Sequence, residues 1–205
     1  QEKELLLEEV HHRVKNNLQV IHSLLDLQAL KIKDPDLVAM LRDSQNRVRS
    51  MSLIHQTLYQ SHDFAQVEFQ QFLGELLPNL MDSYGMVAGH VAMAIEAHHV
   101  KLPINEAIPC GLIVNELVSN ALKHGFPNDS SGTVRVQIRQ DSEQVVELSI
   151  SDDGQGIPPD MDLARSESLG LQLVHLLTRQ LHGQLNVQRS HPTRFILKFR
   201  MGEKS

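Results

Sequence analysis

From residue 2 to about residue 31, apolar side chains recur at steps of three and four. Leu7, Val10, Val14, Leu18, Ile21 and Leu25 fall on one sustained face, the pattern of an amphipathic helix. The run Lys33-Asp34-Pro35-Asp36 breaks it, because proline lacks a backbone N–H and restricts the residue before it. A second stripe follows through Leu37, Met40, Leu41, Val48, Met51, Ile54 and Leu58. Two long helices joined by so short a break predict an antiparallel hairpin. Such a hairpin has one apolar stripe per helix and little core of its own. Pairing with a second copy into a four-helix bundle would bury both stripes, so a homodimer is expected. A helical pattern that begins with the first residues also suggests a fragment, with an upstream input domain removed.

The pattern changes after Ser61-His62-Asp63. Residues 69–83 read as a helix and 90–97 alternate like a strand. Residues 105–124 form a long helical pattern ended by Gly125 and Pro127. Residues 133–139 and 145–151 alternate as paired strands. Residues 169–182 are helical up to Gly183, and 184–188 with 194–200 read as closing strands. Strands grouped with helices, without βαβ repetition, predict an α+β sandwich: one mixed sheet with helices on one face. The boundary is expected near residues 62–67, giving a hairpin over 1–64 and a second domain over 65–205.

Composition narrows the function classes. The net charge of −6 argues against a nucleic-acid binder. A single cysteine, Cys110, excludes an internal disulfide and fits a reducing, cytoplasmic setting. No apolar run reaches the roughly 18–20 residues of a membrane span, so no membrane contact is expected from this stretch.

The first chemical signal lies in Glu9-Val10-His11-His12-Arg13-Val14-Lys15-Asn16-Asn17-Leu18. At about 100° per residue, His12 points about 155° from the centre of the apolar stripe, whereas His11 lies at about 55° and His22 at the stripe's edge. An exposed imidazole with an ordinary pKa is largely unprotonated at neutral pH and reachable by a nucleotide on another domain. Asn16 lies one turn on, where it can contact a phosphoryl group or position a water. The plainer alternative is a solvated surface histidine. The segment resembles the H box of histidine kinases, especially the HHRVKNN-type, HWE-related subfamily. That resemblance implies that His12 accepts the phosphoryl group. Many members carry an acid directly after the acceptor. Here Arg13 stands there, and Glu8 and Glu9 one turn back are the candidate substitutes.

The second half lacks a GxxxxGK[ST] loop and the HRD and DFG motifs. The run Asn115-Glu116-Leu117-Val118-Ser119-Asn120-Ala121-Leu122-Lys123-His124 puts Glu116, Asn120, Lys123 and His124 at spacings of three and four on one helix face. An acid, an amide and a cation so placed suit a hydrated Mg²⁺ and a triphosphate. An ordinary amphipathic helix with a polar outer face looks the same. Asp152-Asp153-Gly154-Gln155-Gly156-Ile157-Pro158 follows a strand. Its glycines allow close approach of the backbone to a ligand, and the Asp152 carboxylate can accept from the amine of adenine. Ser166-Glu167-Ser168-Leu169-Gly170-Leu171 opens a helix, whose N-terminus can hold phosphate oxygens or simply be capped by Ser166 or Ser168.

In this order the three segments resemble the N, G1 and G2 boxes of the GHKL (Bergerat) ATP-binding fold, shared by histidine kinases, gyrase, Hsp90 and MutL. The resemblance runs from about residue 67 to the end. It includes Thr193-Arg194-Phe195-Ile196-Leu197-Lys198-Phe199 as closing strand, with Pro192-Thr193 in place of the usual Gly-Thr. It implies ATP and Mg²⁺ as cofactors. Asn120 becomes the metal ligand with Glu116 as the acid beside it, and Asp152 the adenine anchor. Lys123 lies near the phosphates, Gly154, Gly156 and Gly170 frame the pocket, and His124, Leu171 and Thr193 complete the cofactor-binding set. Residues 158–167 would form a short lid. Asn115 stands where the HWE subgroup has histidine, and its Trp-Glu pair is missing. The expected function is that of a sensor histidine kinase core: autophosphorylation of His12, assisted by Glu116 and Asn16, then transfer to an aspartate of a response regulator receiver domain. The alternative is a GHKL-type ATPase or anti-sigma-like serine kinase without a phosphohistidine.

Overall fold

The computed structural model describes residues 2–60, 66–83, 90–97, 99–127, 130–158, 160, 168–189 and 191–202, with the side chains of 2–12, 57–60 and 83 outside that description. The chain divides into two compact units, Gln1–Phe64 and Ala65–Ser205.

In the first unit, helix α1 (Glu2–Ala29) packs along helix α2 (Pro35–Gln60). The helical pattern breaks over residues 30–34, as expected, and Pro35 itself opens α2. Its missing N–H belongs to the first turn, where it would have no helical partner. The Asp34 carboxylate caps that turn, accepting from the N–H groups of Asp36 at 2.9 Å and Leu37 at 3.4 Å. Of the expected stripes, Val14, Leu18 and Leu25 are partly covered and Ile54 is fully buried. Ile21, Leu37 and Met40 are instead exposed, at 44%, 48% and 66%. Val20, Leu24, Leu27 and Leu30, from α1 and the turn after it, are exposed as well. Each helix thus carries more apolar surface than its neighbour covers.

The second unit is built on a mixed sheet in the order β2-β4-β5-β7-β6. Its strands are β2 (Val91–Glu96), β4 (Gly132–Gln140), β5 (Val145–Asp152), β6 (Gln184–Gln188) and β7 (Thr193–Arg200). β2 runs parallel to β4 and the other pairs are antiparallel. Strict alternation sorts the faces. Val134, Val136, Ile138, Val146, Leu148, Ile150, Leu197 and Phe199 are buried beneath the helices α3 (Phe69–Ser83), α4 (Ile104–Asn120) and α5 (Leu169–Gln180). The opposite face carries charge. Arg139, Glu147 and Lys198 share one cross-strand row, and Lys198 and Arg139 hold the Glu147 carboxyl below its usual range.

Three features depart from the sequence pattern. Two three-residue strands, β1 (Gln66–Glu68) and β3 (Lys101–Pro103), form a separate antiparallel pair. The helix expected to run to His124 is α-helical only to Asn120, and Ala121–Gly125 winds as a π-helical turn. The last helix ends at Gln180 rather than at 182, with His182 at φ +50° taking the left-handed position expected of Gly183.

Candidate functional site

A cavity of about 320 Å³ opens between α4, the end of β5, the start of α5 and β7. Leu117, Asn120, Ala121, His124 and Gly125 line it from α4 and the π turn. β5 contributes Ile150 and Asp152, and the loop after it Gln155, Gly156, Ile157 and Pro158. Ser168 and Leu171 close one side, Thr193 and Phe195 another.

Sheet register explains the pairing of these groups. Asp152 lies opposite Thr193 and Ile150 opposite Phe195. Two adjacent inward rows therefore place a carboxylate and a hydroxyl beside two apolar side chains. Burial is the largest influence on the Asp152 carboxyl and pushes its pKa above the ordinary value. The Gly154 N–H, donating to Oδ1 at 3.1 Å, pulls it back, Asp153 adds to the rise, and His191 opposes it.

The π turn is held by the loop after β5. The backbone N–H of Gln155 donates to the Gly125 carbonyl at 2.8 Å. Its side-chain amide donates to the His124 carbonyl at 2.7 Å. Such turns widen a helix by one residue and recur at functional sites. Here one brings His124 and Gly125 to the cavity wall. On the other side, Ser168 caps α5 through a 3.3 Å bond from the Leu171 N–H.

Of the residues expected from the sequence, Asn120, His124, Asp152, Gly156, Leu171 and Thr193 meet at this cavity. Glu116 does not. It is 2% exposed, and its Oε1 accepts from the Asn115 amide at 3.4 Å. The shared face assumed a helix polar toward the ligand, whereas this stretch of α4 is buried among the other elements. Lys123 is exposed beyond the lining, on the π turn, where the α-helical spacing no longer applies. Gly154 faces the Gly125 backbone rather than the cavity. Gly170 lies buried in the first turn of α5, outside the lining. The His12 side chain, with Glu8 and Glu9, is outside the described residues, although the backbone of His12 belongs to α1. Asn16 is exposed on that helix. Of the expected lid, only Pro158 and Asp160 are described.

Sequence reasoning missed the apolar walls Ile150, Ile157 and Phe195, and the clamp Gln155. The period-two pattern of β5 and β7 already put Ile150 with Asp152 and Phe195 with Thr193. Gln155 carried no signal, because its partner is a turn that the sequence did not reveal. A second hollow of about 450 Å³ lies on the far face of the sheet, lined by Arg135, Ser151, His191 and Arg194 among others. Its lining side chains are polar or charged apart from Pro192.

Residues 9–84 match a family described as histidine kinase, and residues 105–203 one described as histidine kinase-, DNA gyrase B- and HSP90-like ATPase. The sensor histidine kinase PdtaS of Mycobacterium tuberculosis is 32% identical over 98% of this chain, which spans 40% of that relative's length. The blue-light-activated histidine kinase 2 of Erythrobacter litoralis is 31% identical over 89% of the chain and 53% of its own length. Among solved structures, the histidine kinase domain of an Erythrobacter litoralis blue-light activated histidine kinase superposes with a TM-score of 0.70 at 28% identity, covering 98% of this chain and 94% of that one. The helical hairpin and the sandwich with its apolar, carboxylate-bearing cavity are the two parts of one known design, and the chain belongs to the sensor histidine kinases, with a GHKL-type ATP-binding domain as its second part.

Proposed function

We propose that the chain binds ATP with Mg²⁺ in the cavity around Asp152 and transfers the γ-phosphoryl group to His12. The receiver aspartate of a response regulator then takes it, with an upstream sensor domain setting the rate. The observation that carries this reading is the half-buried carboxylate of Asp152 among apolar walls, in a chain whose other unit bears the His12 motif.

In this reading the adenine base lies among Leu117, Ile150, Ile157, Leu171 and Phe195, and its exocyclic amine donates to Asp152. Thr193, opposite Asp152, offers a hydroxyl beside that contact. The first turn of α5 holds phosphate oxygens, with Lys123 as an outlying cation. Asn120 supplies an amide oxygen to Mg²⁺. This ion keeps several waters and takes few protein ligands beside the phosphates. One such ligand fits a cavity with no three-residue His/Cys/Asp/Glu cluster among the described residues. The bound ion offsets charge on the phosphates. Glu116, buried and not among the lining residues, is outside this set.

For transfer, an unprotonated nitrogen of His12 attacks the γ-phosphorus in line. The N–P bond forms as the bond to the β,γ-bridging oxygen breaks, and ADP leaves with the electron pair. Arg13 cannot take the imidazole proton, which leaves Glu8 or Glu9, while Asn16 positions the phosphoryl group. With ATP as donor, the reaction belongs in the cytoplasm. None of the described helices is long and apolar enough to cross a membrane.

The test is incubation with labelled ATP and Mg²⁺, then trypsin digestion at neutral pH. Acid-labile phosphate is expected in the peptide of residues 4–13, which holds His11 and His12. Acid-stable phosphate on a serine, or ATP turnover with the chain unlabelled, would favour the serine-kinase or ATPase reading instead.

The open apolar rows of the hairpin support a homodimer. Val20, Leu24 and Leu27 are each more than half exposed, and burying one such side chain stabilises by about 1.5–3 kcal/mol. Wild type is expected to sediment as a dimer, and the double variant Leu24→Lys, Leu27→Lys as a monomer of unchanged helicity. A wild type that sediments as a monomer would exclude the bundle.

A further inference from the structure

On α1, His22 stands one turn before Asp26. Its Nδ1 lies 3.1 Å from Asp26 Oδ2. The other carboxylate oxygen, Oδ1, accepts a 2.9 Å bond from the side-chain amide of Gln45 on α2. Gln45 is 9% exposed, so the carboxylate is anchored from the seam between the helices. The His22 side chain is 37% exposed. A carboxylate at this distance favours the tautomer with its proton on Nδ1, which leaves the lone pair on Nε2. The arrangement is that of a nucleophile oriented by a carboxylate, itself oriented by a third group.

These features suit a phosphoryl acceptor, and the position one turn after His12, which Asp26 holds for His22, is taken by the amide Asn16. The geometry points to His22 as a second phosphoryl acceptor on α1, with Asp26 as its positioning residue; this rests on the kinase reading above. Nε2 attacks the γ-phosphorus of ATP, an N–P bond forms, and ADP departs with the electrons of the bridging P–O bond. The Nδ1 proton stays on the ring, and Asp26 offsets the positive charge that the ring acquires. No separate base is needed for the forward step.

Trypsin cleaves after Arg13, Lys15 and Lys31, so His22 falls in the peptide of residues 16–31, apart from His11 and His12. That peptide also holds Ser23, whose phosphate would survive acid. The 205-residue chain is labelled with ATP and Mg²⁺ as wild type, His12→Gln, His22→Gln and Asp26→Asn, with ATP affinity and helicity measured for each. Acid-labile label is expected on residues 16–31 in wild type and in His12→Gln, and none in His22→Gln. Asp26→Asn should lower it about tenfold or more while the label on residues 4–13 is unchanged. A purely structural Asp26 would not separate the two peptides in this way. Label confined to residues 4–13 in wild type, with none in His12→Gln, overturns the proposal and leaves the kinase reading standing. Absence of label from both peptides, with ATP still bound, overturns both.

Discussion

Replacing Asp152 by Ala is expected to weaken ATP binding about a hundredfold, read by calorimetric titration of the intact chain. A hydrogen bond to a charged group contributes about 1.5–3 kcal/mol, and its loss leaves the adenine amine unpaired among apolar walls. Every 1.4 kcal/mol is about tenfold in affinity. The walls of Ile150, Phe195 and Leu171 remain, so what disappears is the polar contact that distinguishes one purine from another. Guanine carries a carbonyl where adenine carries its amine, so the ratio of ATP to GTP affinity should fall in the same variant. Unchanged ATP affinity would remove Asp152 from the site.

The raised pKa of this carboxyl gives the pH dependence its sign. Only the ionised form is a full acceptor for the adenine amine, so binding should fail on the acid side, at a pH above the ordinary aspartate value of 3.8. For folding the sign is opposite. A carboxyl whose folded pKa exceeds its unfolded pKa stabilises the fold when protonated, and that contribution is lost as pH rises through the folded pKa. At neutral pH the ionised Asp152 therefore costs stability. Asp152→Asn, which still offers an oxygen to the Gly154 N–H, should melt no lower than wild type although it binds ATP poorly.

How much of this was legible depends on the range of the interaction that decides each feature. The 69–83 helix emerged with matching bounds as α3, because its apolar spacing is local and strong. β4 and β5 were legible from alternation, since one face meets helices and the other water. The π turn was not. Residues 121–125 carry no local signal for it, and the groups bonded to the turn, the backbone and amide of Gln155, lie about thirty residues later in the chain. The β1–β3 pair was hidden for a similar reason, since three residues give no period and the partner lies far along the chain. At the site, Asp152 and Asn120 were readable as residue types in a known order. Glu116 shares a face with Asn120 and His124 by spacing, but spacing does not say how deeply each residue lies, and Glu116 is buried and not among the lining residues. In the hairpin, Leu37 and Met40 matched the stripe by period but stay exposed, for the hairpin has more apolar surface than one helix pair can cover.

Gly154→Ala carries the other large expected effect, and its reason is not the freedom usually claimed for glycine. Gly154 is not among the glycines with positive φ, whereas Gly156 is, at +83°. What Gly154 lacks is space. A Cβ there would lie 2.3 Å from the carbonyl oxygen of Gly125, 2.7 Å from its carbon and 2.8 Å from its Cα. All three are backbone atoms, so no side-chain rotation can relieve the overlap. The two segments must separate. Separation strains the 2.8 Å bond from the Gln155 N–H to Gly125, the bond from its amide to His124, and the Gly154 N–H that orients Asp152. Overpacking of this kind costs about 1–3 kcal/mol, which should lower the melting temperature of the second unit by several degrees, about 2–4 °C per kcal/mol. ATP affinity should fall with it, because both the π-turn wall and the carboxylate lose their brace. Gly74 is the control. It lies within α3, a Cβ there meets nothing within 4 Å, and Gly74→Ala should be neutral or stabilise by about 0.5–1 kcal/mol. If Gly154→Ala melts with wild type and binds ATP as tightly, the loop after β5 does not brace the π turn, and the cavity wall must be held by α4 alone.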